Sequence, residues 1–202
     1  MDGGQEGARE GRLAQIRAAI VADPENAWAT EIGYEPLYVA HPAARIVVIG
    51  QAPGRKAQES QLAWNDVSGR TLLTWLDVDE ATFRRPDLFA ILPMDFYYPG
   101  KAAHGDLPPR KGFAERWHPP LLAEMPGIRL TLVVGAYAQR HYLGRTGSLT
   151  ENVRAFRSHL PGVVPLVHPS PLNFRWQTRN PWFASELLPV LRRRVSEVLE
   201  RD

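Results

Sequence analysis

The 202-residue sequence predicts an α/β fold: a three-layer sandwich with a central four-stranded parallel sheet flanked by helices. Three observations predict it. Four short apolar, β-branched runs recur along the chain. Stretches with helical periodicity separate them, and strands alternating with helices favour a parallel sheet covered on both faces. The runs are also apolar throughout, as strands buried on both faces are.

The elements follow in order. Residues 7–22 place Leu13, Ile16 and Ile20 on one helical face, at i, i+3 and i+7. This helix and an irregular, Pro- and Tyr-containing lead-in fill residues 1–40 of a single domain spanning 1–202. Arg45–Gln51 ("RIVVIGQ") is the first strand, Phe89–Asp95 ("FAILPMD") the second, Arg129–Gly135 ("RLTLVVG") the third and Val163–His168 ("VVPLVH") the fourth. Ser68 can cap the helix carrying Leu72, Leu73 and Leu76, and Asp79 a short one at "DEATF". Residues 113–124 and 136–143 are further helices. Ser148 with Glu151 forms a capping box before Val153 and Phe156. A last helix runs from Trp182 to Leu199, bent at Pro189.

Composition narrows the chemistry. Hydrophobic residues make up 44% and charged residues 23%, as in ordinary globular proteins. No apolar run approaches the roughly 18 residues of a membrane span, and the polar start "MDGGQEGARE" is unlike a signal peptide, so a cytoplasmic protein is expected. There is no Cys, which excludes disulfides, thiolate catalysis, Cys-ligated zinc and iron–sulfur clusters. None of the six His stands at HExxH-like spacing, so neither a metal nor another cofactor is expected. Only three of the 24 basic residues are Lys. The Arg excess suits phosphate binding, because the guanidinium fork donates in parallel pairs, and equally suits a GC-rich genome.

In a parallel sheet, ligands bind beyond the carboxyl ends of the strands. "GQAPGRK" follows the first strand, "PMDFYYPGK" the second and "HPSPLNFRW" the fourth. Gly50-Gln51-Ala52-Pro53-Gly54 matches neither phosphate-loop pattern, but two glycines around a Pro can present N–H groups to a bound carbonyl oxygen. Trp64, in "AWNDVSGRTLL", can stack on a base or cover the core. In "HPSPLN" both His168 and Ser170 precede a proline, so the backbone is stiffened twice. Such a loop holds side chains ready for a ligand, or is a plain Pro-rich turn.

Together these ordered segments resemble the uracil-DNA glycosylase superfamily. "GQAPG" is similar to its first motif, GQDPY in the main branch and GEAPG in the iron–sulfur branch. "WNDVSGRTLL" resembles the aromatic stretch that follows, with Trp64 at the base-stacking position, and "HPSPLN" resembles the closing HPSPLS. The resemblance spans roughly residues 45–176. It implies a base flipped from DNA into a pocket at the strand ends and hydrolysis of its N-glycosidic bond. The base leaves as an anion, so developing negative charge must be stabilised. His168 would donate to the base O2, helped by the N–H groups of Gln51 and Ala52, while Pro53, Gly54, Trp64 and Asp95 would line the base site. A neutral imidazole suffices, since a charged one would be costly to bury. Leu172 corresponds to the wedge that fills the vacated stack, with packing inside the protein as the alternative. Ser170, Asn173, Arg175 and Lys101 would meet phosphates.

Two positions depart from the pattern. Ala52 replaces the water-activating Asp of the main branch, leaving Glu59, Asp66 and Asp95 as candidates, Asp66 first. The uracil-reading Asn would fall near Pro93, where no Asn exists; Asp95 could accept from uracil N3–H. The expected function is a monofunctional glycosylase acting on a deaminated base, uracil foremost, as a monomer on single- or double-stranded DNA. A catalytically silent relative that binds nucleic acid or a free base is the alternative. An unrelated small-molecule hydrolase is disfavoured by the lack of a nucleophile elbow.

Overall fold

A computed structural model describes residues 3–103, 105–144 and 147–200; His104 lies outside the described residues. The sheet consists of β1 (Ile46–Ile49), β2 (Phe89–Ile91), β3 (Leu130–Val134) and β4 (Val163–Leu166). All its pairings are parallel and the order across it is β2-β1-β3-β4. Each strand lies inside its expected run and is shorter at the carboxyl end, where the chain leaves the ladder to form loops.

Successive strand residues point to opposite faces. Ile46 and Val48 therefore pack with Leu72, Leu76, Leu191 and Val195 on one face. Val47 and Ile49 meet Leu13, Ile20, Trp117 and Leu121 on the other. Each such side chain, once buried, contributes about 1.5–3 kcal/mol, and the two clusters are what make the sandwich three-layered.

The helices are α1 (Gly3–Ala22), α2 (Ala27–Glu31), α3 (Arg55–Ser60), α4 (Val67–Leu76) and α5 (Glu80–Phe83). They continue with α6 (Phe113–Ala123), α7 (Gly135–Tyr142), α8 (Leu149–Arg154), α9 (Phe174–Arg179) and α10 (Leu188–Glu200). The α8 capping box forms as its sequence predicts, with Ser148 and Glu151 each accepting the other's N–H. Asp79 caps α5.

The structure differs from expectation at several elements. Asp66, not Ser68, caps α4, its Oδ1 accepting from Gly69 N at 2.9 Å. The helix starts earlier than expected, at Val67, and a carboxylate both accepts the free N–H and faces the positive helix end. The last helix is not one bent α-helix: a π-helical stretch, Phe183–Leu187, precedes α10. That wider turn sits just ahead of Pro189, which has no N–H to donate and whose ring crowds the preceding turn. The lead-in holds α2, and Val39 forms an antiparallel bridge to Ile91 at the β2 edge. Beyond "HPSP", the chain forms a 3₁₀ turn, Pro171–Asn173, running into α9.

Candidate active site

The loops after β1 and β2 are tied together by two backbone bonds, Met94 N to Gly50 O at 2.9 Å and Asp95 N to Gln51 O at 3.2 Å. These bonds use the carbonyls of the β1 loop. Among the described residues, the N–H groups of Gln51 and Ala52 have no protein acceptor, and both residues line a cavity of about 440 Å³. Pro53, Gly54, Trp64, Asp66, Lys101 and His168 line the same cavity. Gly50 lets the indole pack closely against the β1 loop: a Cβ there would lie 3.2 Å from Trp64 Cζ2, a contact the ring would have to shift to relieve.

His168 follows β4, its ring packed at 5.7 Å and 31° against the Trp64 indole. Burial pushes its pKa below the usual 6.5, an effect the nearby Asp66 carboxylate partly offsets. The imidazole therefore favours its neutral form, and among the described residues neither ring nitrogen has a protein partner. Asp66 is exposed. One of its oxygens caps α4, and the other makes no described hydrogen bond.

The Trp64 segment is held under constraint. Trp64 has φ 56°, the left-handed region that costs a bulky residue on the order of 1–3 kcal/mol. A Cβ on Gly69 would fall 1.8 Å from Trp64 O, so only Gly fits beneath this turn. The Arg84 guanidinium, paired with Glu80, also donates to the carbonyls of Ala63 and Trp64. The sequence points to Trp64 but not to these supports, because Arg84 lies outside every motif.

Asp95 is not a base-site residue. It is fully buried and both oxygens are held by Arg110, Nη2 to Oδ1 at 2.8 Å and Nε to Oδ2 at 2.8 Å. It accepts two backbone N–H groups besides, from Tyr97 and Arg110. A buried carboxylate needs such partners, and with them filled it cannot read a ligand. Glu59 lies exposed on α3 and does not line the cavity. Pro93 does line it, and its carbonyl accepts from His118 Nε2 at 3.0 Å. His118, buried and held at a pKa of about 4 by desolvation, is thereby neutral; its Nδ1 accepts from the Tyr142 hydroxyl at 2.6 Å.

The "HPSPLN" loop bonds to itself. Ser170 Oγ accepts from Leu172 N at 3.2 Å, and Asn173 Nδ2 donates to His168 O at 2.8 Å. Ser170 and Asn173, expected at phosphates, thus hold the loop's shape. Leu172 is 91% exposed, which overturns the alternative of a core leucine. Arg175 is exposed on α9.

Two polar groups of the cavity escaped sequence reasoning. Ser68 is buried with its hydroxyl unpartnered among the described residues, and the Tyr98 hydroxyl reaches Asp106 at 3.4 Å. Ser68 reads as a helix cap, and nothing in "PMDFYYPGK" sets Tyr98 apart from its neighbours. Among the described residues no group of three or more His, Asp or Glu could hold a metal ion.

The class this defines is a parallel-sheet α/β protein whose strand-end loops bring a neutral histidine, an indole, free N–H groups and a carboxylate to one cavity. The family model for the uracil DNA glycosylase superfamily matches residues 37–192, a stretch containing all of these groups. The chain belongs to that superfamily.

Proposed function

We propose that the protein is a monofunctional DNA glycosylase that flips a deaminated base, uracil foremost, into this cavity and hydrolyses its N-glycosidic bond. The observation that carries the reading is the convergence of His168, Trp64, Asp66 and the free N–H groups of Gln51 and Ala52 on one cavity. The base stacks on Trp64. As the C1′–N bond breaks, its electron pair goes to the base, and the charge on O2 is met by the His168 N–H and the two backbone donors. Asp66, through the oxygen not used in capping, orients water toward C1′ and takes its proton, the role Ala52 cannot fill. With Pro93 in place of an amide, the hydroxyls of Ser68 and Tyr98 are the groups that would meet the edge of the base. Each can donate or accept, which fits a tolerant rather than a strict reader. The enzyme would work in the cytoplasm, as a monomer and without a cofactor.

Ala52 and Pro93 favour the second reading, a silent relative that binds nucleic acid or a free base. An incision assay separates the two. Oligonucleotides bearing uracil, hypoxanthine, xanthine or mispaired thymine, single- and double-stranded, are incubated with protein in excess chelator and scored for abasic-site cleavage. Abasic sites at uracil are expected. Tight binding with no cleavage of any substrate would establish the silent relative instead.

A further inference from the structure

The two most exposed large apolar side chains among the described residues stand two positions apart, Leu172 at 91% and Phe174 at 70%. Their exposure is built into the loop. On one side the Ser170 and Asn173 bonds described above fix the turn to His168. On the other, Trp176 Nε1 donates to Thr150 Oγ1 at 2.8 Å, and its ring packs edge-on against Trp182 and Phe183. Phe174 thus sits between two pins and still faces solvent. Leu172 has a proposed task in the vacated stack; Phe174 has none.

The surroundings indicate what covers it. Arg175 and Arg179, exposed at i and i+4 on α9, have no acidic partner among the described residues. Other arginines, such as Arg12, Arg85 and Arg110, are paired with carboxylates. An aromatic ring beside unpaired guanidinium groups fits a polyanion that carries planar bases. Extruding one base from a duplex leaves two unsatisfied features, a gap and an unpaired partner base. Phe174 opens α9 directly after the 3₁₀ turn that carries Leu172, so insertion of Leu172 into the gap brings Phe174 to the same disrupted base step. We infer that Phe174 stacks on the partner base left unpaired in the opposite strand, while Leu172 fills the gap. The inference rests on the proposed base flipping from a duplex.

The test is a binding cycle that needs no catalysis. Wild type and Phe174→Ala are titrated with two duplexes containing a stable abasic-site analogue, one opposite a normal base and one opposite a second analogue. Phe174→Ala should weaken binding to the first roughly 5- to 150-fold, the range for one stacked base, and leave the second nearly unchanged. Phe174→Trp should retain the preference and Phe174→Leu should lose it. Equal losses on both duplexes, or no loss on either, would overturn the inference. A protein that shows this coupling yet excises no base would overturn the proposed function and leave the inference standing.

Discussion

His168 acts in the proposed reaction as a neutral donor, and its burial against Trp64 favours that form. Replacing it with Ala removes one stabilising donor, so single-turnover excision should fall by on the order of 10²–10³. The pH profile carries a sign. Because the folded pKa lies below 6.5, the neutral form is fully present above that value and is lost as pH falls through the lowered pKa. Wild-type excision should be flat above pH 6.5 and decline only below it, and this limb should be missing from the His168→Ala profile. Stability follows the same direction: the unfolded chain binds the proton more readily, so the contribution is complete above pH 6.5 and declines in acid. At this scale the sequence was informative for His168, Trp64 and Asp66, whose neighbours are unusual. It misled at Asp95, because nothing in "PMDFYY" reveals that Arg110, fifteen positions on, closes on both oxygens.

Asp95 belongs to the scale of elements, since its ion pair joins the β2 loop to the segment ahead of α6. Asp95→Asn leaves Arg110 without its charge partner, and breaking such a pair costs about 3–5 kcal/mol. Denaturant unfolding should register that loss while the folded fraction keeps its excision rate. A full-stability variant with relaxed base choice would return Asp95 to the base site. The 3₁₀ turn ahead of α9 gives the opposite case, a residue whose loss should spare the fold. Leu172→Ala should leave the melting temperature unchanged, because the side chain is 91% exposed. Excision from duplex DNA should slow substantially, since base extrusion there costs a few kcal/mol, and excision from single strands should fall far less. Equal losses on both substrates would place the wedge elsewhere. Strands were legible because β-branched apolar runs have few alternatives. The turn and α9 were not, as Pro171 and Asn173 read as loop residues and the helix is only six residues long.

Across the whole molecule, charge is arranged by location. Arg55, Lys56 and Lys101 line the cavity, with Arg175 and Arg179 on α9, and among the described residues none has a carboxylate partner. The net charge of only +2 conceals this, because the acidic residues neutralise arginines elsewhere. If about five of these cations reach phosphates, log affinity for duplex DNA should fall with log salt at a slope of about −4.5; a flat salt dependence would argue against this face. The fold class and the ordered strand-end motifs could be read from the chain, whereas the supports beneath Trp64 and the His118 bond to Pro93 depend on contacts distant in sequence. The central claim is that Asp66 and His168 together run base hydrolysis in this cavity. It is tested most directly by single-turnover release of uracil from an oligonucleotide, comparing wild type with Asp66→Asn. The account predicts metal-independent release by wild type and a loss of at least about 10²-fold in Asp66→Asn, with binding of an abasic-site analogue and melting temperature retained. Undiminished release by Asp66→Asn would contradict it.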